Sequence, residues 1–212
     1  MKRILSVLLL CSVLPVFGQG STAPSGGLEF RFGGISYSED YWDDVSAAGN
    51  LGFVVWSGNG VVGLWLGGGA EAPTLKWNDG DHNLETDIVV APVGVSLLIR
   101  AELFDGVALR AEGGARYTFM EVEDNPRYSD RRRGRFHYDH PYDYSSRDLD
   151  VDDTVLAICS LQLEFDIHPF VLGIGGGYQF DCIKPEIAYR EEKFAEVDLS
   201  GAFGFVTFGL LF

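Results

Sequence analysis

The chain has 212 residues, 46% of them hydrophobic and 13% aromatic, with 27 glycines, three cysteines and a formal net charge of −15. That length suits one domain, and the acidity speaks against nucleic acid, whose affinity rests on neutralised phosphates. No stretch beyond the N-terminus holds eighteen uninterrupted apolar residues, so a helical membrane span is not expected.

The N-terminus, MKRILSVLLLCSVLPVFGQG, joins a basic start at Lys2 and Arg3 to an apolar run from Ile4 to Val13. Pro15 and the small residue Gly18 follow, which makes a secretory signal peptide over 1–18, with cleavage after Gly20 as the near alternative. Its removal takes the charge to −17. Cys11 is preceded by Leu8, Leu9 and Leu10, whereas a lipobox needs a small residue there. Residues 19–27 then form a short leader, and 28–212 the body.

The body repeats one unit, an alternating strand-like run followed by a break. Eight runs are expected, near 28–37, 51–56, 61–70, 87–103, 107–121, 154–167, 170–181 and 197–212. The breaks alternate in length. Short ones fall at Ser57-Gly58-Asn59-Gly60, Phe104-Asp105-Gly106 and His168-Pro169; long polar ones at 39–50, 71–86, 122–153 and 182–196. Asn-Gly and Asp-Gly suit tight turns because both residues tolerate positive φ. Tight turns on one rim and long loops on the other predict an all-β, eight-stranded antiparallel up-and-down barrel, and the even count places both termini on the short-turn rim.

Alternation by itself does not say which face is inside. A soluble secreted barrel of lipocalin type would turn the apolar faces inward around an apolar ligand; a membrane barrel reverses the order. Two features favour reversal. The apolar faces carry aromatics near strand ends: Phe30, Phe104, Phe165, Phe170 and Phe212 at one level, Tyr117, Phe119, Tyr178 and Phe180 at the other. The opposite faces mix glycine with Arg and Glu, which suits a crowded eight-stranded interior.

The last run, EVDLSGAFGFVTFGLLF, puts Ala202, Gly204, Val206, Phe208, Leu210 and Phe212 on one face. Phe208, Leu210 and the terminal Phe212 resemble the C-terminal assembly signal of bacterial outer-membrane barrels, and the whole body resembles the superfamily of small OmpA/OmpX-like barrels. That resemblance implies residence in the outer membrane of a Gram-negative bacterium with both termini periplasmic. It further implies contact with outer-membrane lipid and lipopolysaccharide, recognition by the assembly machinery through the last strand, and a monomer. Structural, adhesive or other surface-interaction roles are then expected. The run ends at the barrel's last strand, so no periplasmic domain is expected after it.

With the charged faces inside, Glu29, Arg31, Arg100, Glu102, Arg110, Glu112, Gln162, Glu164 and Asp166 all fall in the periplasmic half of the lumen. Enclosed charges must pair, since an isolated buried ion costs several kcal/mol. A network of Arg–carboxylate bridges that plugs the lower lumen is therefore predicted, and a plugged barrel is no general diffusion porin.

The 121–153 loop gathers Arg131, Arg132, Arg133 and Arg135 beside Tyr138 and Tyr142, a possible contact surface for an anionic partner on an otherwise self-neutralising loop. His137 and His140 with Asp139 and Asp143 lack any spacing that would hold a metal, so neither metal nor cofactor is assigned. His137, Ser145 and Asp148 supply the residue types of lipid A deacylases or acyltransferases without a matching pattern; no catalytic residue is assigned, and that enzyme stands as a second alternative. His168 reads as a turn residue. Tight pairing across His168-Pro169 would set Cys159 near Tyr178 and Cys182 near Val155, too far apart for a disulfide.

Overall fold

The structure is a computed structural model that describes residues 26–42, 45–58, 60–78, 82–122, 127–130, 149–189 and 192–212. The signal segment and the Arg131–Arg135 cluster, with Tyr138, Tyr142, His137, His140, Ser145 and Asp148, lie outside the described residues.

Every regular element among the described residues is a strand. In chain order these are β1 (Gly26–Tyr37), β2 (Ser46–Trp56), β3 (Val62–Glu71), β4 (Thr74–Asn78), β5 (His82–Phe104), β6 (Val107–Val122), β7 (Arg127–Asp130), β8 (Leu149–Val151), β9 (Thr154–Ile167), β10 (Phe170–Asp181), β11 (Glu186–Tyr189), β12 (Glu192–Glu196) and β13 (Gly201–Leu211). Eight of them pair in the order β3-β2-β1-β13-β10-β9-β6-β5, and β3 pairs with β5 to close the ring. All pairings are antiparallel, and closure leaves no free sheet edge in the ring. These eight coincide with the eight runs read from the alternation.

Local chemistry sets the connections. Gly60 (φ 69°) and Gly106 (φ 73°) take the left-handed backbone that the tight turns β2–β3 and β5–β6 require. Gly26 and Phe212 exchange backbone hydrogen bonds on the same rim as these turns. Gly26, the chain end and the three short turns thus share one rim.

The long connections are more ordered than their polarity suggests. The 71–86 break holds β4 and the first residues of β5, which run on past the barrel and pair with β7. The 182–196 break holds β11 and β12, which form a separate three-stranded sheet with β8. Polar composition marks these stretches as loops; backbone pairing above the rim makes strands of them without any apolar alternation in the sequence.

The outer surface is apolar. Phe32, Val55, Leu64, Val95, Leu97, Ile99, Leu161, Ile174 and Val206 are all exposed on the outside of the ring. Phe104, Phe165, Phe170, Phe208 and Phe212 stand exposed toward the short-turn rim, with Phe170 and Phe208 in contact at 5.5 Å. Tyr117 and Phe119 (4.9 Å) and Tyr178 and Phe180 (4.6 Å) pair toward the other. The interior holds the charges. This is the partition of a barrel whose solvent is lipid, where an outward charge is costly and closure satisfies every backbone group.

Candidate functional site

Charged side chains converge in the lumen, which is built in storeys. At the short-turn end, inward positions of β1, β5, β6 and β9 bring together Glu29, Arg31, Arg100, Arg110, Glu112, Gln162, Glu164 and Asp166. Arg110 donates through Nη1 to Glu29 Oε2 (2.6 Å) and through Nη2 to Glu29 Oε1 (3.0 Å) and Gln162 Oε1 (2.6 Å). Its Nη1 also stands 2.8 Å from Glu164 Oε1. Arg31 donates to Glu29 (2.5 Å) and to Glu112 Oε2 (2.6 Å). Arg100 donates to Glu164 Oε2 (2.9 Å) and to Asp166. Gln162 donates to Glu164 Oε1 (3.3 Å) and accepts from Thr207 (3.2 Å), which ties β13 into the same web.

The geometry depends on barrel size. Strands β1 and β6 stand four places apart around the eight-membered ring in either direction, so they face each other across the diameter. The Arg110–Glu29 and Arg31–Glu112 bridges span that diameter directly, which only a narrow barrel allows. Arg110 and Gln162 are each 2% exposed. Such an enclosed network holds because each ion has hydrogen-bonded counter-ions; unpaired, any of them would cost several kcal/mol.

Glu102 departs from expectation. Alternation places it in the network, yet it is exposed and stands at the mouth, lining a cavity of about 200 Å³ with Arg100, Asp166, Trp56 and Leu211. Glu102 pairs with Ala108 in unbroken register and keeps the lumen side, but it stands two residues nearer the rim than Arg100, where the barrel opens and its carboxylate meets solvent.

Above the network lies a layer the sequence did not single out. Trp65, 1% exposed, points inward from β3. The Arg31 guanidinium lies 4.9 Å from its ring and 5.3 Å from that of Phe205; Arg116 lies 5.9 Å from Trp65. These are cation–π distances, and they let buried guanidinium groups rest against aromatic faces. Arg116 lies near Glu71 and Glu112 without a close ion pair among the described residues, and Glu71 accepts a hydrogen bond from Tyr37 (3.0 Å). Alternation alone puts Arg116 on the inner face; its height in the barrel is what separates it from the lower web.

The third storey is apolar. Ile35, Ile88, Val90, Met120 and Leu156 point inward near the long-connection rim. Trp42, Leu75, Val151, Ile187, Val197 and Leu199, from the connections, pack onto them as one cluster. Trp42 is anchored by its indole N–H, which donates to Asp198 O (2.7 Å), and by a backbone bridge to Leu75. Each large side chain so buried contributes roughly 1.5–3 kcal/mol. This core is hidden from pattern reading because its outer half comes from segments with no strand periodicity.

Neither cysteine forms a disulfide: Cys159 sits opposite Tyr178, Cys182 donates its amide to Val155 O (2.8 Å), and both thiols are free and exposed. His168 lies exposed in the β9–β10 turn. Phe208 and Leu210 face outward with Phe212.

No protein-family model matches the chain, and no curated protein matches it in sequence. Among solved structures it is similar to the outer membrane protein OprG from Pseudomonas aeruginosa, at 14% identity and a TM-score of 0.64, with 91% of this chain and 98% of that one covered. Neisserial surface protein A is similar at 7% identity and a TM-score of 0.54, covering 92% and 100%. A major outer membrane protein from Thermus thermophilus is similar at 10% identity and a TM-score of 0.54, covering 89% and 100%. At these identities the likeness is one of fold. The chain therefore has the closed, eight-stranded, all-antiparallel barrel fold found in small bacterial outer membrane proteins.

Proposed function

We propose that this protein is an occluded outer-membrane barrel whose work is done at the cell surface rather than through its lumen. The observation that carries this reading is the filling of the lumen in two different ways: a salt-bridged web across the diameter below, an apolar core above. A diffusion channel needs a continuous wetted path, and both layers oppose one. The short-turn rim, with both chain ends, faces the periplasm, and the long connections with their three-stranded sheet face outward. Export by the 1–18 segment and recognition of Phe208, Leu210 and Phe212 by the assembly machinery belong to the same proposal. So do a monomeric state, contact with lipopolysaccharide, and engagement of an anionic partner by Arg131, Arg132, Arg133, Arg135, Tyr138 and Tyr142.

The test combines two measurements. Detergent-extracted protein that migrates differently before and after boiling supports the membrane barrel; recovery in the soluble fraction without detergent overturns it. Purified barrel in planar bilayers is expected to show no steady conductance. A stable open level at neutral pH would refute occlusion while leaving the membrane assignment intact.

The soluble lipocalin-like alternative requires an apolar interior, and the inward charges speak against it. The lipid A-modifying alternative would need a Ser–His–acid grouping at the outer rim; the candidates for it, His137, Ser145 and Asp148, lie outside the described residues.

A further inference from the structure

Where β10 ends, two carboxyl groups meet in a way the lumen chemistry does not use. A strand crosses a bilayer in about nine to eleven residues. Asp181, twelfth in β10, therefore stands past the outward Tyr178 and Phe180, above the membrane-facing belt. Its carboxylate accepts from the Leu199 amide, and its own amide donates to Ser200 Oγ (3.1 Å). Asp198 accepts from the Ser200 amide (2.7 Å), pairs with Lys184 at 3.0 Å, and donates its amide to Tyr41 OH (2.6 Å). Its carbonyl receives the Trp42 indole. Three separate stretches, 38–42, 182–187 and 197–200, are thus tied together at this point, and Val197 and Leu199 are driven fully into the apolar core.

The remaining oxygen of Asp181, Oδ1, is buried and finds no donor among the described residues. The carboxyl of Asp198 is held on the same turn: Asp181 takes the Leu199 amide and reaches the Ser200 hydroxyl, while Asp198 takes the Ser200 amide. Two carboxylates cannot satisfy one another; one proton held between them can. We infer that Asp181 and Asp198 form a proton-dependent clasp that holds 197–200, and with it the apolar cap, against the outer rim in acidic surroundings and loosens it toward neutrality.

The charged groups around the pair fit that polarity. Among the described residues, Lys184 sits on Asp198, Glu39 adds negative charge nearby, and Tyr41 and Tyr37 are neutral phenols. Burial, opposed by the Leu199 amide and reinforced by Asp198, raises Asp181 to about 7. Asp198, though desolvation works against it, is held down to about 2 by Ser200 and Lys184. For Asp181 the folded value exceeds the ordinary one of 3.8, so its contribution is complete below about pH 4 and is lost as pH rises to about 7. For Asp198 the contribution is present above 3.8 and is lost only as pH falls toward 2. The clasp is therefore tightest near pH 4 to 5 and flat above about 7.

Hydrogen exchange of the refolded full-length protein in phospholipid vesicles tests this, with rates at pH 5, 6 and 7.5 normalised to the intrinsic exchange rate. Full linkage over that interval would approach a hundredfold; because the pair is partly solvated, at least about a tenfold loss of protection at the Leu199 and Ser200 amides is expected from pH 5 to 7.5. Barrel amides such as those of β6 and β9 serve as the internal reference and stay unchanged. In Asp181→Asn, whose amide donates permanently to Asp198, the pH dependence should vanish. Wild-type protection that is level across the range overturns the clasp, as does an Asn variant that falls in parallel with wild type. Should that variant not refold, Asp198→Asn gives the same readout from the other side of the pair.

Discussion

Replacing Arg110 with Met tests whether the lower lumen is an ion network or merely a set of inward charges. Arg110 is 2% exposed and serves Glu29 twice, Gln162 once and Glu164 once. Removing one partner of a buried ion pair costs about 3–5 kcal/mol, because the other charge is left uncompensated. Here Glu29 retains Arg31 and Glu164 retains Arg100, so the low end, about 3 kcal/mol, is expected. The assay is urea-dependent folding into detergent micelles or vesicles, followed by the gel shift of unboiled protein. A cycle sharpens the test: Arg110→Met combined with Glu29→Gln and Glu164→Gln removes the stranded charges and should recover more than half of the loss. The reasoning is refuted if Arg110→Met alone costs less than about 1 kcal/mol, the range of an exposed pair, or if the triple variant is no more stable than the single one.

Other outcomes follow from the same structure. Val95→Arg, on the lipid-facing side of β5, should cost about 2–4 kcal/mol in the same folding assay, whereas Glu102→Gln at the open mouth should stay within about 0.5 kcal/mol of wild type. Gly177 admits no side chain: a Cβ would stand 2.1 Å from Cys159 O and 2.8 Å from the Phe203 ring, so Gly177→Val should abolish the heat-modifiable species on gels. In intact cells a membrane-impermeant maleimide should label Cys182, above Phe180, and leave Cys159, on the acyl-facing side of β9, unlabelled until detergent is added; a Cys182 that labels only after detergent is added would invert the proposed orientation.

The sequence by itself determined the eight barrel strands, their up-and-down topology and the side of each that turns inward. The count and topology follow from a period of two and from the alternation of tight turns with long breaks; the inward side follows from aromatics at the strand ends of the apolar faces and from the glycine, Arg and Glu of the others, so residues such as Arg110 and Glu164 could be placed inside before any fold was known. Composition also sufficed to put aromatic pairs such as Tyr178 and Phe180 outward, because they share a face with Leu172 and Ile174. What only the tertiary structure decided is which inward residues meet. Alternation assigns a face but neither a height nor a position around the ring, and the stagger between strands sets both. Hence Glu29 finds Arg110, 81 residues away, across the diameter, while Glu102, two residues from Arg100 on the same face, stands at the open mouth and meets solvent. Arg116 rises out of the web to rest beside Trp65. The apolar cap was likewise decided at that level: Trp42, Leu75, Ile187 and Leu199 carry no common period, and they become a core only when the connections fold back over the mouth of the barrel.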